Sequence, residues 1–572
     1  MKRIICFMLS VVLVFSCCII VSAAEDDTPV IFVPGFIETI MGVNVDEYNE
    51  EQLWPFTVQT VVGKIASDSP ALITLLAGLI FGNFDKLGAR LGKDAEEVLH
   101  KLTCNPDGSS DYGIESFPQD PELCNVGYLS KHKSGKYLAM AAIAEDVASK
   151  TDPDRTFVFC YNSQLDSLEL ASQLRSFIRS VKEYTGSGKV RLCSHSYGGQ
   201  IIAAYFYRYP EDRDIKKAVM IYPALAGTDA IKYILEADAD VPFDDILVFV
   251  ENLLSSPTEI EKLCRKDLFH YINEFASSGL AELAGMWRYW GSMYSLCSNE
   301  YYELLKEEFL DPVESAPIKE ANDIIHYDMI PNLRRIFENC QSEGIDVSII
   351  SGSGIQECLG GDDNTDVLLP VKLVTGASCT KYGEHFCDGY EAKGSVCSNA
   401  KHNHVSPAMN IDASTAFLPE NTWFVEGVFH GAYPNQDYTM TLIEKLLLTD
   451  DIEDVYSDPG YPQFGFSDNI NMGISFSFDE SKAGFISSDD NCLIIKNLND
   501  IAPVKILSVT ASGLDIKFDA VKTTVILPGK SVKIKFSGSV PEVKAKLTEI
   551  SVKYVERASV NTLKRGFTVD NL

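Results

Sequence analysis

The segment KVRLCSHSYGGQIIAAYFYRYPE, residues 189–211, carries the pattern that decides the fold. Its first letters form an apolar, β-prone run, and a helix-forming stretch opens at Gly199. Between them, the letters SHSYG (194–198) place small residues two positions before and two after Ser196. This order of strand, sharp turn and helix is typical of a nucleophile elbow, which exposes its central serine at the carboxyl end of a parallel sheet. Ser194 stands where such turns usually have glycine, and an ordinary tight turn is the alternative interpretation.

A serine hydroxyl is a weak nucleophile, so Ser196 needs a base and two amides that can hold an oxyanion. The amide of Tyr197, at the start of the helix, is one candidate donor. The run TPVIFVPGFIET (28–39) leads to Phe36, whose amide is the second candidate. The run TWFVEGVFHGAY (422–433) brings His430 into a loop before a helix predicted over Tyr438–Leu448. We therefore predict His430 as the base.

The acid that would orient His430 has two candidates, both between the strand predicted at Val347–Ile350 and the histidine. Asp366 lies in NTDVLLPVKLVTGA (364–377), and Asp412 lies in MNIDASTAFLPENTW (409–423). The loop chemistry around Asp366 favours it. Asp412, which is closer in sequence to His430, remains the alternate acid.

Short apolar runs alternate with helical periodicity through residues 28–450, which predicts β-α-β units around a parallel sheet. An amphipathic helix between the second and third strands is predicted to begin at Asp166 and to end at Gly186. Two insertions, at about 40–150 and 225–330, are rich in helix formers and aromatic residues and are predicted to be helical caps over a cleft. The predicted strands are Pro29–Val33, Thr156–Tyr161, Lys189–Cys193, Lys217–Tyr222, Val347–Ile350 and Thr422–Val428.

The pattern changes after residue 450. Segments such as CLIIKNL and TTVILPGKSVKIKFSG alternate apolar and polar residues with almost no helical period. We predict an α/β domain at 25–450, a linker rich in proline and glycine at 451–470 and a β-sandwich of the immunoglobulin type at 471–572.

Residues 1–24 have the arrangement of a secretory signal: a basic start, an apolar middle and small residues at the end. We therefore expect the mature chain to be secreted or extracellular, with a cell-surface association as the variant. Of 15 cysteines, three lie in this segment, which leaves 15 − 3 = 12. Cys104 and Cys124 flank a polar loop that a disulfide would stabilise, whereas Cys160 and Cys193 lie in strand-like runs and are expected to be buried thiols.

The composition excludes several kinds of partner. The 572 residues include 49 Lys plus Arg and 81 Asp plus Glu, a formal net charge of −32, which argues against nucleic acid. A zinc site is the alternative interpretation of one loop that is rich in cysteine and histidine, but its spacing does not match a zinc knuckle, and we expect no metal and no organic cofactor. The residues of that loop are Cys379, Cys387, Cys397, His402 and His404.

Three motifs carry a resemblance to a known family. PVIFVPGF, LCSHSYGG and FVEGVFHG resemble the lipase branch of the α/β-hydrolases and are most similar to the lecithin–cholesterol acyltransferase and phospholipase-like family. The aromatic stretch WRYWGSMYSLCSNEYYELL (287–305) resembles that family's cap region. The resemblance implies a Ser-His-Asp triad and an α/β-hydrolase core, and it suggests Asp366 as the acid. The chain departs from the family at residues 162–165, NSQL, where relatives tend to have Trp-Arg.

The expected activity is that of a serine acyl-ester hydrolase or O-acyltransferase on lipid-like esters. The caps are candidates for transient contact with a lipid surface, and the ligand of the C-terminal domain is unknown. The alternative outside the enzymes is an extracellular binding or adhesion protein. It would be built on a hydrolase scaffold whose triad is no longer active. A peptidase or thioesterase is the alternative among enzymes, since the same triad cleaves amides and thioesters.

Overall fold

The computed structural model describes residues 27–43, 51–54, 100–117, 119–132, 141–236, 284–357, 361–384, 386–387, 389–394, 404–406, 409–431, 433–435, 437–466, 474–478, 492–497, 504–512, 515–518, 524–527, 530–539, 548–556 and 559–567. The predicted signal segment, Cys397 and His402 lie outside these residues. Among the described helices, none combines the length and the apolar character that crossing a bilayer requires.

The strands up to residue 466 are β1 (Val30–Val33), β2 (Met41–Val43), β3 (Glu51–Trp54), β4 (Ile114–Ser116), β5 (Thr156–Val158), β6 (Val190–His195), β7 (Ile215–Ile221), β8 (Asp346–Ser353), β9 (Ile355–Gln356), β10 (Asn364–Thr365), β11 (Ser378–Cys379), β12 (Ile411–Asp412), β13 (Thr422–Glu426) and β14 (Phe464–Phe466).

The helices are α1 (Pro121–Cys124), α2 (Val126–His132), α3 (Ala141–Lys150), α4 (Ser167–Thr185), α5 (Tyr197–Arg208), α6 (Ala230–Glu236), α7 (Gly291–Leu296), α8 (Asn299–Phe309), α9 (Ala316–Ile324), α10 (Leu333–Ser342), α11 (Val371–Thr375) and α12 (Asp437–Leu448). Short 3-10 turns lie at His100–Leu102, Pro153–Arg155, Ile330–Asn332, Ala413–Thr415 and Tyr433–Asn435, and a π-helical turn lies at Ile325–Met329.

Seven strands form the central sheet, in the order β14-β13-β8-β7-β6-β1-β5. Every neighbouring pair is parallel. This is the strand order of an α/β-hydrolase core, so the predicted fold class is confirmed. Because β1 lies beside β6, with Val33 opposite Ser194, the loop after β1 and the turn after β6 meet at the same edge of the sheet.

The amphipathic helix predicted between β5 and β6 is α4. The Asp166 carboxylate accepts hydrogen bonds from the amides of Leu168 and Glu169, which satisfies two of the free amides at the helix start. Gly186 ends the helix in the left-handed conformation, with φ of 69°. The apolar face packs on the sheet, and Leu174, Ile178 and Val181 are fully buried there.

The first insertion is not wholly helical. Strands β2, β3 and β4 form a three-stranded antiparallel sheet in the order β3-β2-β4, followed by helices α1 to α3. The second insertion contains α6 to α9. The remaining parts of the two insertions, including 55–99 and 237–283, lie outside the described residues.

The segment predicted as a linker, 451–470, packs against the central sheet as far as residue 466. Residues Phe464–Phe466 form β14, which pairs with β13 at the edge of the central sheet. Ile452 and Val455 are buried in the main apolar core, and Phe464 stacks on Phe424 with ring centroids 5.3 Å apart. Strand pairing and the Phe464 side chain therefore hold this segment on the sheet despite its proline and glycine content.

The C-terminal segment forms two four-stranded antiparallel sheets, in the orders β15-β16-β20-β18 and β19-β17-β21-β22. Residues of both sheets share one apolar cluster, including Leu493 and Ile495 of the first sheet and Ile506 and Val552 of the second. This is the predicted sandwich. Its strands are β15 (Ile474–Phe478), β16 (Cys492–Asn497), β17 (Val504–Ser512), β18 (Asp515–Phe518), β19 (Thr524–Ile526), β20 (Ser531–Ser539), β21 (Thr548–Glu556) and β22 (Ser559–Phe567).

The disulfide considered between Cys104 and Cys124 is not present, and both residues keep their thiols. Cys124 is fully buried and lies beside Cys160, and a hydrogen bond with that thiol, together with burial, raises the pKa of Cys124. Cys160 and Cys193 are buried free thiols, as predicted.

Candidate functional site

Ser196 occupies a strained turn between β6 and α5. Its φ of 53° and ψ of −121° lie in a region that residues with a side chain rarely adopt. The Ser196 amide donates to the carbonyl of Ile221 (3.1 Å), and its own carbonyl accepts from the amides of Gly199 and Ala224 (both 2.9 Å). These bonds to the end of β7 fix the turn.

The two glycines after Ser196 allow the backbone to pack tightly. A β-carbon at Gly198 would lie 2.1 Å from the carbonyl oxygen of Val33, and one at Gly199 would lie 2.2 Å from Pro223 Cβ. Ser194, on the other side of the turn, is fully buried, and its hydroxyl finds no hydrogen-bond partner among the described residues. A serine therefore fits in the position that usually holds glycine.

The loop after β1 is held by hydrogen bonds to its backbone. The Tyr161 hydroxyl donates to the carbonyl of Pro34, and the Ser163 hydroxyl donates to that of Phe36 (both 2.7 Å). Burial raises the pKa of Tyr161, which keeps its hydroxyl protonated as a donor. A β-carbon at Gly35 would lie only 3.0 Å from Ser196 Cβ, so the loop and the turn are in direct contact.

His430 follows β13 and is paired with Asp366. Its Nδ1 lies 2.8 Å from Asp366 Oδ2, and its backbone amide donates to the Asp366 carbonyl (2.9 Å). Asp366 is fully buried, and its second oxygen accepts from the amides of Leu368 and Leu369. The remaining ring nitrogen of His430, Nε2, is buried and has no hydrogen-bond partner in the described part of the chain.

Asp412, the alternate acid, does not contact His430. One of its oxygens accepts from the Tyr390 hydroxyl (2.8 Å) and the Lys393 amide (2.9 Å). The other accepts from the amide and the hydroxyl of Ser414. This buried carboxylate is therefore engaged in holding its own loop.

A second imidazole–carboxylate pair lies beside the first. His195 Nδ1 is 3.0 Å from Glu38 Oε2, and His195 Nε2 donates to the backbone carbonyl of His430 (2.9 Å). The same Glu38 oxygen accepts from the Gly35 amide (2.7 Å). This pair connects the loop after β1, the end of β6 and the loop that carries His430.

The contact between Glu38 and His195 favours the charged form of both side chains. Burial alone would raise the pKa of Glu38, but the charge and hydrogen bond of His195 lower it overall. Burial alone would lower the pKa of His195, and the charge of Glu38 raises it overall. Both side chains are buried, so each depends on the other for its charge.

Neither member of this pair was predicted from the sequence. Each lies in an otherwise apolar motif, Glu38 in TPVIFVPGFIET and His195 in LCSHSYGG. Two ionisable residues in runs that are otherwise buried are the signal that could have indicated a pair.

Aromatic side chains line the same end of the sheet. The centroid of the Phe36 ring lies 6.3 Å from that of Tyr197 and 5.9 Å from that of Trp290. Trp290 comes from the second insertion, and its indole donates to the Leu102 carbonyl in the first (2.8 Å). The second insertion therefore reaches the loop that follows β1, and it is bonded there to the first insertion.

The loop considered for zinc is only partly described. His404 Nδ1 bonds to Gln463 (2.8 Å), and Cys379 and Cys387 are free thiols. Among the described residues, one cluster of three acidic side chains could hold a metal ion. Its members are Asp229, Glu357 and Asp363.

Comparisons with known proteins give weak similarity. No family model matches the chain, and no curated protein matches it. Among solved structures, the chain is similar to a phospholipase PlaB from Legionella pneumophila bound to thio-NAD, with 8% identity, a TM-score of 0.30 and coverage of 76% of this chain and 86% of that one.

The lipase BlEst2 from Bacillus licheniformis in its propeptide form gives 10% identity, a TM-score of 0.27 and coverage of 75% and 88%. The carboxylesterase CesB from Bacillus subtilis gives 13% identity, a TM-score of 0.23 and coverage of 54% and 78%. Similarity at this identity and TM-score does not by itself identify the fold. The fold is identified by the strand order of the central sheet and by the turn at Ser196.

Replacing Glu38 with glutamine is expected to lower the free energy of unfolding by about 3 kcal/mol near pH 5.5, because His195 loses its buried counter-charge. The folded pKa of Glu38 is lowered from 4.5 and that of His195 is raised from 6.5, so the pair contributes fully between these ordinary values. The contribution is lost as the pH rises through the raised pKa of His195, or falls through the lowered pKa of Glu38.

Denaturant titrations of the parent and Glu38→Gln at pH 5.5, 7 and 8.5 measure this difference. Glu211→Gln, at an exposed glutamate, is the matched control and should leave stability unchanged. A difference between parent and Glu38→Gln that stays constant from pH 5.5 to 8.5 would show that the pair is not ionised.

Proposed function

We propose that this protein is a serine hydrolase that cleaves acyl esters through a covalent acyl-enzyme. One observation carries the proposal: buried Asp366 binds Nδ1 of His430, Nε2 has no hydrogen-bond partner among the described residues, and His430 lies beside the Ser196 turn. The ring centroids of His195 and His430 are 4.7 Å apart, and His195 directly precedes Ser196 in the chain.

In the proposed first step, Ser196 Oγ attacks the ester carbonyl and its proton passes to His430 Nε2. Asp366 holds the ring so that Nδ1 keeps its hydrogen, and it stabilises the imidazolium that forms. The tetrahedral oxyanion is bound by the amides of Tyr197 and Phe36. Tyr197 begins α5, where the first amides of a helix have no acceptor within the helix.

In the second step, the C–O bond to the alcohol breaks, and His430 Nε2 gives its proton to that leaving group. Water, activated by His430, then attacks the acyl-enzyme and releases the acid. A second alcohol in place of water gives acyl transfer by the same sequence of proton movements. The loss of one oxyanion donor typically lowers such rates by about 100–1,000-fold.

A lipid-like acyl group is the substrate class that the surroundings favour. Phe36, Tyr197 and Trp290 make this end of the sheet aromatic, and Ile37, beside the proposed oxyanion amide, is 54% exposed. Apolar side chains beside the proposed oxyanion site favour a substrate whose apolar acyl chain is stabilised when it is buried away from water. We also propose that residues 1–24 direct export and that the caps make transient contact with lipid.

A binding or adhesion protein on an inactive hydrolase scaffold is the second candidate. It is favoured by the serine at position 194 and by the C-terminal pair of antiparallel sheets, an architecture common in attachment domains. The two candidates differ in whether Ser196 is reactive.

A fluorophosphonate probe is expected to label the parent protein at Ser196, because an active base raises the nucleophilicity of that hydroxyl. The label should be absent in Ser196→Ala and retained in Ser194→Ala, the matched control two residues away. Labelling is measured by mass spectrometry of the intact protein and its peptides. An unlabelled but folded parent would favour the binding candidate.

Asp366→Asn is expected to lower the rate of ester hydrolysis by roughly 10³–10⁴-fold, because the amide holds His430 in the wrong tautomer. Asp412→Asn changes an equally buried aspartate away from His430 and should stay within about threefold of the parent. Initial rates are compared for protein that shows the same circular dichroism. Equal losses in the two variants would remove Asp366 from its proposed role.

Longer acyl chains are expected to be better substrates. Each methylene that leaves water contributes up to about 0.8 kcal/mol, or roughly fourfold in kcat/KM, until the apolar surface is filled. A series of p-nitrophenyl esters from acetate to palmitate, below their aggregation concentrations, measures this trend. The highest kcat/KM at acetate, followed by a steady fall, would contradict the lipid assignment without affecting the serine chemistry.

A further inference from the structure

Three carboxylates outside the proposed catalytic group converge on one point. Asp229 lies between β7 and α6, and Glu357 and Asp363 lie on the two sides of the β9–β10 hairpin. One ligand oxygen from each lies within 4.8 Å of the other two. The Glu357 amide donates to the Asp363 carbonyl (3.2 Å), which holds the two sides of the hairpin together.

Glu357 points into this cluster without a partner for one of its oxygens. The residue is 4% exposed, and its Oε1 has no hydrogen-bond partner among the described residues. Asp229 Oδ1 is buried and likewise has none. A buried carboxylate oxygen without a hydrogen-bond donor carries a large desolvation penalty. A cation bound to these oxygens would offset that penalty.

The charge of the cluster is only partly balanced. Lys372 Nζ lies 2.7 Å from Asp363 Oδ2, so among the described residues one cation faces three carboxylates, a net of 3 − 1 = 2 negative charges when all are ionised. Burial, followed by the charges of Asp229 and Asp363, raises the pKa of Glu357 to about 8. The Lys372 side chain is 44% exposed, so its ammonium group can turn to solvent when another cation binds.

We propose that Asp229, Glu357 and Asp363 form a binding site for a calcium ion. Carboxylate oxygens are hard ligands, and calcium takes six to eight of them at about 2.3–2.6 Å in flexible geometry. Two oxygens on one such ion therefore lie at most about 5 Å apart, which agrees with the spread of these three. Magnesium is bound by fewer carboxylates and requires a tighter, near-octahedral arrangement.

The ion would connect two segments next to Asp366. Asp363 is followed by β10 and then by Asp366, and the Thr228 hydroxyl, next to Asp229, donates to the Leu368 carbonyl (2.8 Å). Calcium would therefore cross-link the start of the second insertion to the hairpin that leads into the acid loop. Its first effect is on the stability of this region, whether or not the proposed hydrolysis is correct.

The test uses the full chain, freed of metal with a chelator and then dialysed. About 5 mM calcium chloride is expected to raise the midpoint of thermal unfolding by about 3–6 °C, because the ion binds only the folded chain. Glu357→Gln, which keeps the size and removes a ligand charge, should abolish the shift. Asp362→Asn, at the exposed neighbour that pairs with Lys381, should retain it.

Calorimetric titration with calcium alone gives a second measurement, with one bound ion expected in the parent and in Asp362→Asn. Asp229→Asn serves as the ligand variant if Glu357→Gln does not fold. The absence of a calcium shift in the parent, an equal shift in the ligand variant or a shift with magnesium but not calcium would each overturn the proposal.

Discussion

The buried ion pair between Glu38 and His195 is the interaction on which the arrangement of the candidate site depends. It bonds to Gly35 on one side and to the backbone of His430 on the other, and His195 itself leads into the turn at Ser196. Three loops from distant parts of the chain are thereby fixed to one another at the end of the sheet. A buried charge pair is directional, so it specifies positions that apolar packing alone would leave free to shift.

Three residues at the candidate site have strained backbones, one of them Tyr222, which has φ of 44° and whose ring centroid lies 6.2 Å from that of His430. Ser196 has φ of 53°, and Val367, which directly follows Asp366, has φ of 89° although its side chain is β-branched. Conformations of this kind cost about 1–3 kcal/mol each and persist only where surrounding contacts determine them. Here the determining contacts are the bonds of Ser196 to the end of β7 and of Asp366 to the two amides that follow Val367.

The sequence predicted those features that depend on local periodicity. The strand before Ser196, the helix Ser167–Thr185 with its Asp166 cap and the alternating C-terminal strands follow from spacing within a few residues. The choice between Asp366 and Asp412 had to remain open, because both are buried acids before His430 and only the folding of their loops decides which one reaches it. Glu38 was missed for the same reason, since its partner lies over 150 positions away.

Two expectations differ from the structure for a related reason: the linker at 451–470 and the disulfide between Cys104 and Cys124. The Pro and Gly content of 451–470 suggested a linker, but residues 464–466 pair with β13 and Phe464 stacks on Phe424 of that strand. Cys104 and Cys124 looked suited to a disulfide by their flanking positions, while Cys124 turns inward beside Cys160. In each case a contact between distant residues outweighed the local composition.

The place of β14 at the edge of the sheet bears on how the α/β part of this chain can be separated from the rest. A fragment cut at residue 450 would lose the strand that covers β13 and would leave the amides and carbonyls of Phe424 and Val425 open to pairing with another molecule. Such a fragment would be prone to aggregate, whereas one that extends past Phe466 keeps β13 paired.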